Sequence, residues 1–209
     1  MSKTKEQTDA FELLKSDHEK VKGLFKQFED AQSQEEKEDI IQQAIEELKV
    51  HAQVEEEIFY PALRGEVEDD LMNEADEEHH VARILIAELD ANEGGDEERR
   101  NAKFTVLAES VRHHIKEEEG EMMPSAKKAD IDFQELGTQM MQRKNELQES
   151  GVPEDDEHQM VTSFGMGSTE GSRSGRGRTS AASERTTVGG GKKENKSSRK
   201  PATKTRRTA

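Results

Sequence analysis

A His followed four residues later by a Glu, and ten residues later by a Pro, occurs twice in the chain. The first copy is His51, Glu55 and Pro61 in HAQVEEEIFYP, and the second is His114, Glu118 and Pro124 in HIKEEEGEMMP. On a helix, side chains four apart lie one above the other on the same face, so each His and its Glu point the same way. An imidazole nitrogen and a carboxylate oxygen then converge, a donor set suited to iron, manganese or zinc. Pro61 and Pro124 remove an amide donor and are expected to end the two helices.

The elements that must carry these pairs can be read from apolar periodicity. Asp9-x-x-Glu12 reads as a capping box for a first helix running to about Ala31, with Phe11, Leu14, Val21, Leu24, Phe25 and Phe28 on one stripe and His18 among them. Ser33-x-x-Glu36 would cap a second helix through Ile41, Ile45, Leu48, His51, Glu55 and Ile58. A third, roughly Val67 to Asp90, alternates Met72, Ala75, His79, Ala82, Ile86 and Leu89 in steps of three and four, which turns His79 inward and leaves His80 mostly exposed. Asn92-Glu93-Gly94-Gly95 supplies a stop. A fourth helix then carries Phe104, Leu107, Val111, His114 and Glu118, and a short fifth follows Asp132-x-x-Glu135.

The four main helices form two related hairpins. His18 and His79 are 61 residues apart; His51 and His114, and Pro61 and Pro124, are each 63 apart. Apolar residues follow His18 and His79 at matching offsets, a register that selects His79 over His80 and His114 over His113. Four helices with short connections predict an all-α fold, an antiparallel four-helix bundle over residues 1–150. Each inward face then brings its His or His/Glu pair to one level of the core.

Composition limits what else the chain can be. With no Cys among 209 residues, thiolate metal sites, disulfides and thiol nucleophiles are excluded. No run of 18 apolar residues and no signal-peptide pattern occurs, so the expectation is a cytoplasmic protein with no membrane segment. No Ser-His-Asp arrangement or phosphate loop is evident, and nothing in the sequence indicates a large substrate pocket. The formal charge of −16 is uneven. Residues 158–209 hold 12 Lys and Arg against 3 Asp and Glu, a charge of +9, leaving 19 against 44, or −25, on residues 1–157. Residues 151–209, rich in Ser, Gly, Lys and Arg, are expected to form a disordered basic tail. Its cations could meet nucleic-acid phosphates nonspecifically or only shield the acidic body, and the repulsion between that body and nucleic acid favours shielding.

These paired motifs resemble those of the hemerythrin-like HHE cation-binding domain: a His on the first helix, His-x-x-x-Glu on the second, a His on the third, and His-x-x-x-Glu on the fourth. The resemblance covers about residues 9–148. It implies a carboxylate-bridged, non-haem di-iron centre with His18, His51, Glu55, His79, His114 and Glu118 as metal ligands. Oxygen-carrying hemerythrins have a second His on the third helix, where this chain has Ala75, and place the last carboxylate where it has Glu119. Glu118 and Glu119 are therefore alternatives for one role.

Single inward histidines are commonly satisfied core residues, but four of them on four apolar stripes would be costly to bury without a partner. Glu77-x-x-His80 is the one Glu-x-x-His in the bundle, whereas a ferritin-like site needs two. Glu56 and Glu57 read as a solvated helix face, and Met122 and Met123, standing where the first copy has Phe59 and Tyr60, as core filler. The expected function is binding or sensing of oxygen, nitric oxide or iron at a di-iron centre, without enzymatic turnover. The alternatives are a scavenging enzyme for peroxide or nitric oxide, and a metal-stabilised bundle that presents the basic tail.

Overall fold

The computed structural model describes residues 9–91, 95–153, 157 and 159–160. The expected stop at Asn92–Gly94 and the expectations for the tail from residue 161 onward lie outside the described residues. Five long helices account for the fold: α1 (Ala10–Asp30), α2 (Gln34–Val54), α4 (Asp69–Ala91), α5 (Glu97–Glu117) and α7 (Phe133–Ser150). Two four-residue helices, α3 (Tyr60–Leu63) and α6 (Met123–Ala126), follow α2 and α5.

Local chemistry sets the helix starts. The Asp9 side chain accepts from the Glu12 N–H at 2.9 Å, Ser33 Oγ from the Glu36 N–H at 3.2 Å, and Asp132 Oδ1 from the amides of Gln134 and Glu135. Asp96 caps α5 in the same way, accepting from the Arg99 N–H at 2.9 Å. The third main helix begins at Asp69 rather than Val67, because Val67 is tied back to Arg64 in the preceding turn. Gly151, at φ 84°, closes α7 by donating its N–H to the Leu147 carbonyl, a backbone conformation that favours glycine.

The two prolines do not end their helices. Each follows a π-helical turn, Glu55–Phe59 before Pro61 and Glu118–Met122 before Pro124. The Tyr60 N–H reaches back to the Glu55 carbonyl and the Met123 N–H to that of Glu118. A wider turn lets the proline ring clear the preceding carbonyl. The proline then sits in the first turn of α3 or α6, where no amide is required.

Two apolar clusters flank the level of the inward histidines. On one side Val21, Phe25, Ile41, Ile45, Leu89 and Phe104 interlock, with the Phe28 and Phe104 rings 4.7 Å apart. On the other, Phe11, Leu14, Phe59, Leu63, Met72 and Met140 pack together, and α7 closes this end against α1 and α2. Each buried Phe or Leu contributes roughly 1.5–3 kcal/mol relative to exposure, so the clusters hold the layer between them in register. Arg100, 4% exposed, locks the far end by a bidentate pair to Glu38 at 2.7 Å and by donating to the Leu89 carbonyl. Past residue 150, Val152 still packs against the Met140 cluster, and Glu157 is buried against α4, accepting from His80 at 2.6 Å. Among the described residues no helix is long and apolar enough to cross a membrane.

Candidate metal centre

Polar residues interrupt the apolar stripes of all four main helices at one level. His18 on α1, His51 on α2, His79 on α4 and His114 on α5 are each 1–7% exposed, and Glu55 and Glu118, at the starts of the two π turns, are 0% and 1% exposed. The ε nitrogens and the carboxylates face one another. His51 Nε2 lies 3.2 Å from Glu55 Oε1, His79 Nε2 3.3 Å from Glu55 Oε2, and His18 Nε2 3.1 Å from Glu118 Oε2. His79 Nε2 and His114 Nε2 are 3.3 Å apart.

Donor atoms gather in two buried groups, His18 with His51 and Glu55, and His79 with His114 and Glu55, each within 4.8 Å. Glu55 belongs to both. Its two oxygens face opposite groups, the arrangement of a bridging carboxylate. Many inward atoms have no hydrogen-bond partner: His18 Nε2, His51 Nε2, Glu55 Oε1 and both oxygens of Glu118. Orphaned buried polar atoms are costly, and here they converge on shared space, as expected of residues that fit cations.

The δ nitrogens show a second layer that the motif alone does not contain. His18 Nδ1 donates to Glu119 at 2.8 Å, His79 Nδ1 to Glu56 at 2.9 Å, and His114 Nδ1 to Glu78 at 2.8 Å. His51 Nδ1 faces Asp17 at 3.7 Å, and Asp17 is also paired with Lys144. An ionised carboxylate can only accept. In His18, His79 and His114 the proton of a neutral ring is therefore held at Nδ1, and Nε2 turns its lone pair inward, the tautomer a metal requires. Glu118 thus lies within the cluster, and Glu119 lies behind His18.

This outer layer follows the repeat. Asp17 and Glu78 each precede an inward His and are 61 residues apart; Glu56 and Glu119 each follow an inward Glu and are 63 apart. The same separations relate the inward residues. Glu56 and Glu119 each pack against a His of the other hairpin, and Asp17 and Glu78 against the His of the partner helix in their own.

Tyr60 was missed for a different reason. Its hydroxyl, 1% exposed as a residue, lies 3.0 Å from His79 Nε2, 3.4 Å from His114 Nε2 and 3.5 Å from Glu55 Oε2. Five residues along an α-helix turns a side chain ~140° away from its starting face. A turn closed by a bond from residue i+5 to residue i brings it nearly back, so the π turn at Glu55 is what aims Tyr60 at the cluster. Met123 occupies the matching position in the second copy, which hid the role. Burial, and then the charges of Glu55 and Glu118, raise the Tyr60 hydroxyl well above its ordinary pKa, so it is a proton donor here.

The two central carboxylates are unequal. Burial, reinforced by the Glu118 charge, pushes Glu55 up to about 8. Burial acts upward on Glu118 too, but His18, with His114 and His51, draws it down to about 2. Near neutral pH the pair therefore holds one proton.

A cavity of about 170 Å³ opens over the histidine layer, lined by residues of all four main helices. All four inward His rings line it; Tyr60, Glu55 and Glu118 do not. At the surface, Glu78, His113 and Glu117 form a third His/Glu group, in which His113 is exposed and Glu78 already accepts from His114.

The family described as Hemerythrin HHE cation binding domain matches residues 9–126, more than half of the chain and all six inward residues. No curated protein and no solved structure matches it.

Proposed function

The chain belongs to the hemerythrin HHE cation-binding family, and from that premise we propose that its His/Glu layer holds two iron ions and binds or senses a small diatomic ligand, oxygen or nitric oxide. The observation that carries this reading is the Glu55 carboxylate shared between two buried groups of inward donor atoms, one of them without hydrogen-bond partners and the other met only by the Tyr60 hydroxyl. His18 and His51 would hold one ion, His79 and His114 the other, with Glu55 spanning them and Glu118 adding a second carboxylate. Bound iron supplies redox chemistry and open coordination positions toward a diatomic.

The chain's own residues set the conditions. Glu56, Glu78 and Glu119 orient three of the rings by hydrogen bonds while Asp17 faces the fourth, and carboxylate partners of this kind raise ligand basicity. The Tyr60 hydroxyl closes one face of the His79 and His114 pair, so an external ligand reaches the layer from the cavity side. Burial between two apolar clusters keeps bulk water from the donor atoms. Binding rather than turnover is favoured because, among the described residues, the acids and bases that line the cavity besides the histidines are already engaged in ion pairs or hydrogen bonds.

The test is spectroscopic. Full-length protein loaded with ferrous iron without air is expected to gain a visible absorption band on exposure to oxygen or nitric oxide, and to lose it again when the gas is removed. A loaded protein with an unchanged spectrum under both gases would overturn the ligand reading. Sustained consumption of added hydrogen peroxide would replace it with the scavenging enzyme.

A further inference from the structure

A diatomic molecule needs little more room than a water, whose share of liquid volume is about 30 Å³. The cavity over the histidines has about 170 Å³. An apolar cavity of about 150 Å³ suffices to hold benzene. We propose that this cavity is a binding site for a neutral, mainly hydrocarbon molecule of about the size of a benzene ring, with one oxygen donor at the end facing the histidines. The hydrocarbon part of the proposal stands on the cavity alone; the donor end rests on the metal reading above.

The walls define the ligand class. Val21 on α1, Leu48 on α2, Ala82 and Ile86 on α4, and Val111 and Ile115 on α5 surround the space with hydrocarbon from all four main helices. Small residues on facing stripes, Ala82, Ala87 and Ser110, leave the volume open. The four inward His residues line one part of the cavity, and the charged side chains that also border it are paired with one another or with neighbours. An apolar body with a single polar end fits that division, since each part leaves water for a surface of its own kind.

Charge at the rim excludes anions. Lys49 and Arg83 line the opening, but Lys49 Nζ is held by Asp90 at 2.5 Å, and Arg83 is paired with Glu56 and Glu157. Glu56 and Glu78 also border the space. Among the described residues at the rim, a carboxylate would find both side-chain cations already paired and two carboxylates nearby, so a neutral ligand passes this rim more readily than an anion. Val152 and Pro153 complete the rim from the segment after α7, and Glu157 in the same segment is anchored to His80 and Arg83.

The test uses fluorobenzene and 4-fluorophenol, followed by fluorine NMR on the full-length chain, iron-free and loaded with zinc as a diamagnetic cation. Both probes are expected to bind one per chain, saturably and in competition. Fluorophenol should tighten about tenfold on metal loading, whereas fluorobenzene should not. Ala82→Phe and, separately, Ala87→Leu should weaken both probes at least tenfold while helicity and metal content are retained. Unsaturable binding of both probes, or filled variants that bind as the parent does, would overturn the site. If the metal reading fails, no cation is retained and the phenol gains nothing, yet fluorobenzene still saturates and is still lost in the filled variants.

Discussion

Glu55→Gln is expected to empty both cation positions at once. Glu55 is the one residue present in both buried donor groups, and its two oxygens face His51 on one side and His79 on the other. The amide matches the carboxylate in shape but removes the charge and one acceptor. A loss of at least 100-fold in affinity at each position, about 2.7 kcal/mol, is the expected scale. His18→Ala, by contrast, removes a donor from one group and should leave the His79 and His114 position occupied. Metal content per chain after dialysis against a fixed free cation concentration reads both outcomes. The account also predicts an opposite sign without metal: Glu55→Gln should raise the stability of the metal-free chain at pH 8, because it removes a buried ionisable carboxyl beside the Glu118 charge. A purely structural role for Glu55 would lower stability under every condition.

The second large effect is the pH dependence of stability in the metal-free chain. Glu55 is raised to about 8 from its ordinary 4.5, so between those values the folded state keeps a proton that the unfolded chain has lost. Its contribution is therefore fully present below pH 4.5 and is lost as pH rises toward 8, at up to ~1.4 kcal/mol per pH unit. Glu118, lowered to about 2, works in the other direction, contributing above pH 4.5 and losing that contribution as the solution is acidified toward pH 2. Denaturation midpoints in the presence of a chelator should fall steadily from pH 5 to pH 8. Cation binding replaces the proton held by the pair, so the loaded protein should show a much flatter profile, and cation affinity should rise with pH up to about 8. Coincident loaded and metal-free profiles would mean that the carboxylate pair is not where cations bind.

Most of the scaffold follows from local rules. The capping side chains Asp9, Ser33 and Asp132 and the apolar stripes through Phe25, Ile41, Ile86 and Phe104 are short-range signals, and the structure uses each of them. The repeat separations of 61 and 63 residues placed His79 rather than His80 at the inward level, where it lies 6% exposed. What escaped the sequence depends on departures from ideal helix geometry or on contacts between hairpins. Pro61 and Pro124 looked like terminators because an α-helix cannot absorb them, whereas a π turn can. That same turn rotates Tyr60 onto the Glu55 face. Asp17, Glu56 and Glu78 could not be told from solvated acids until the facing helix was known, and Glu119 could not be placed behind His18 rather than beside Glu118. The cavity arises where Ala82, Ala87 and Ser110 meet across helices, a matter of summed side-chain volume to which periodicity is blind.

The two-cation centre is tested most directly by anomalous scattering at the iron absorption edge, from crystals of the full chain grown after loading with ferrous iron. Two peaks are expected within the buried layer, one beside the ε nitrogens of His18 and His51 and the other beside those of His79 and His114, with the Glu55 carboxylate between them. Absence of both peaks, or iron only at the surface group of Glu78, His113 and Glu117, would contradict it.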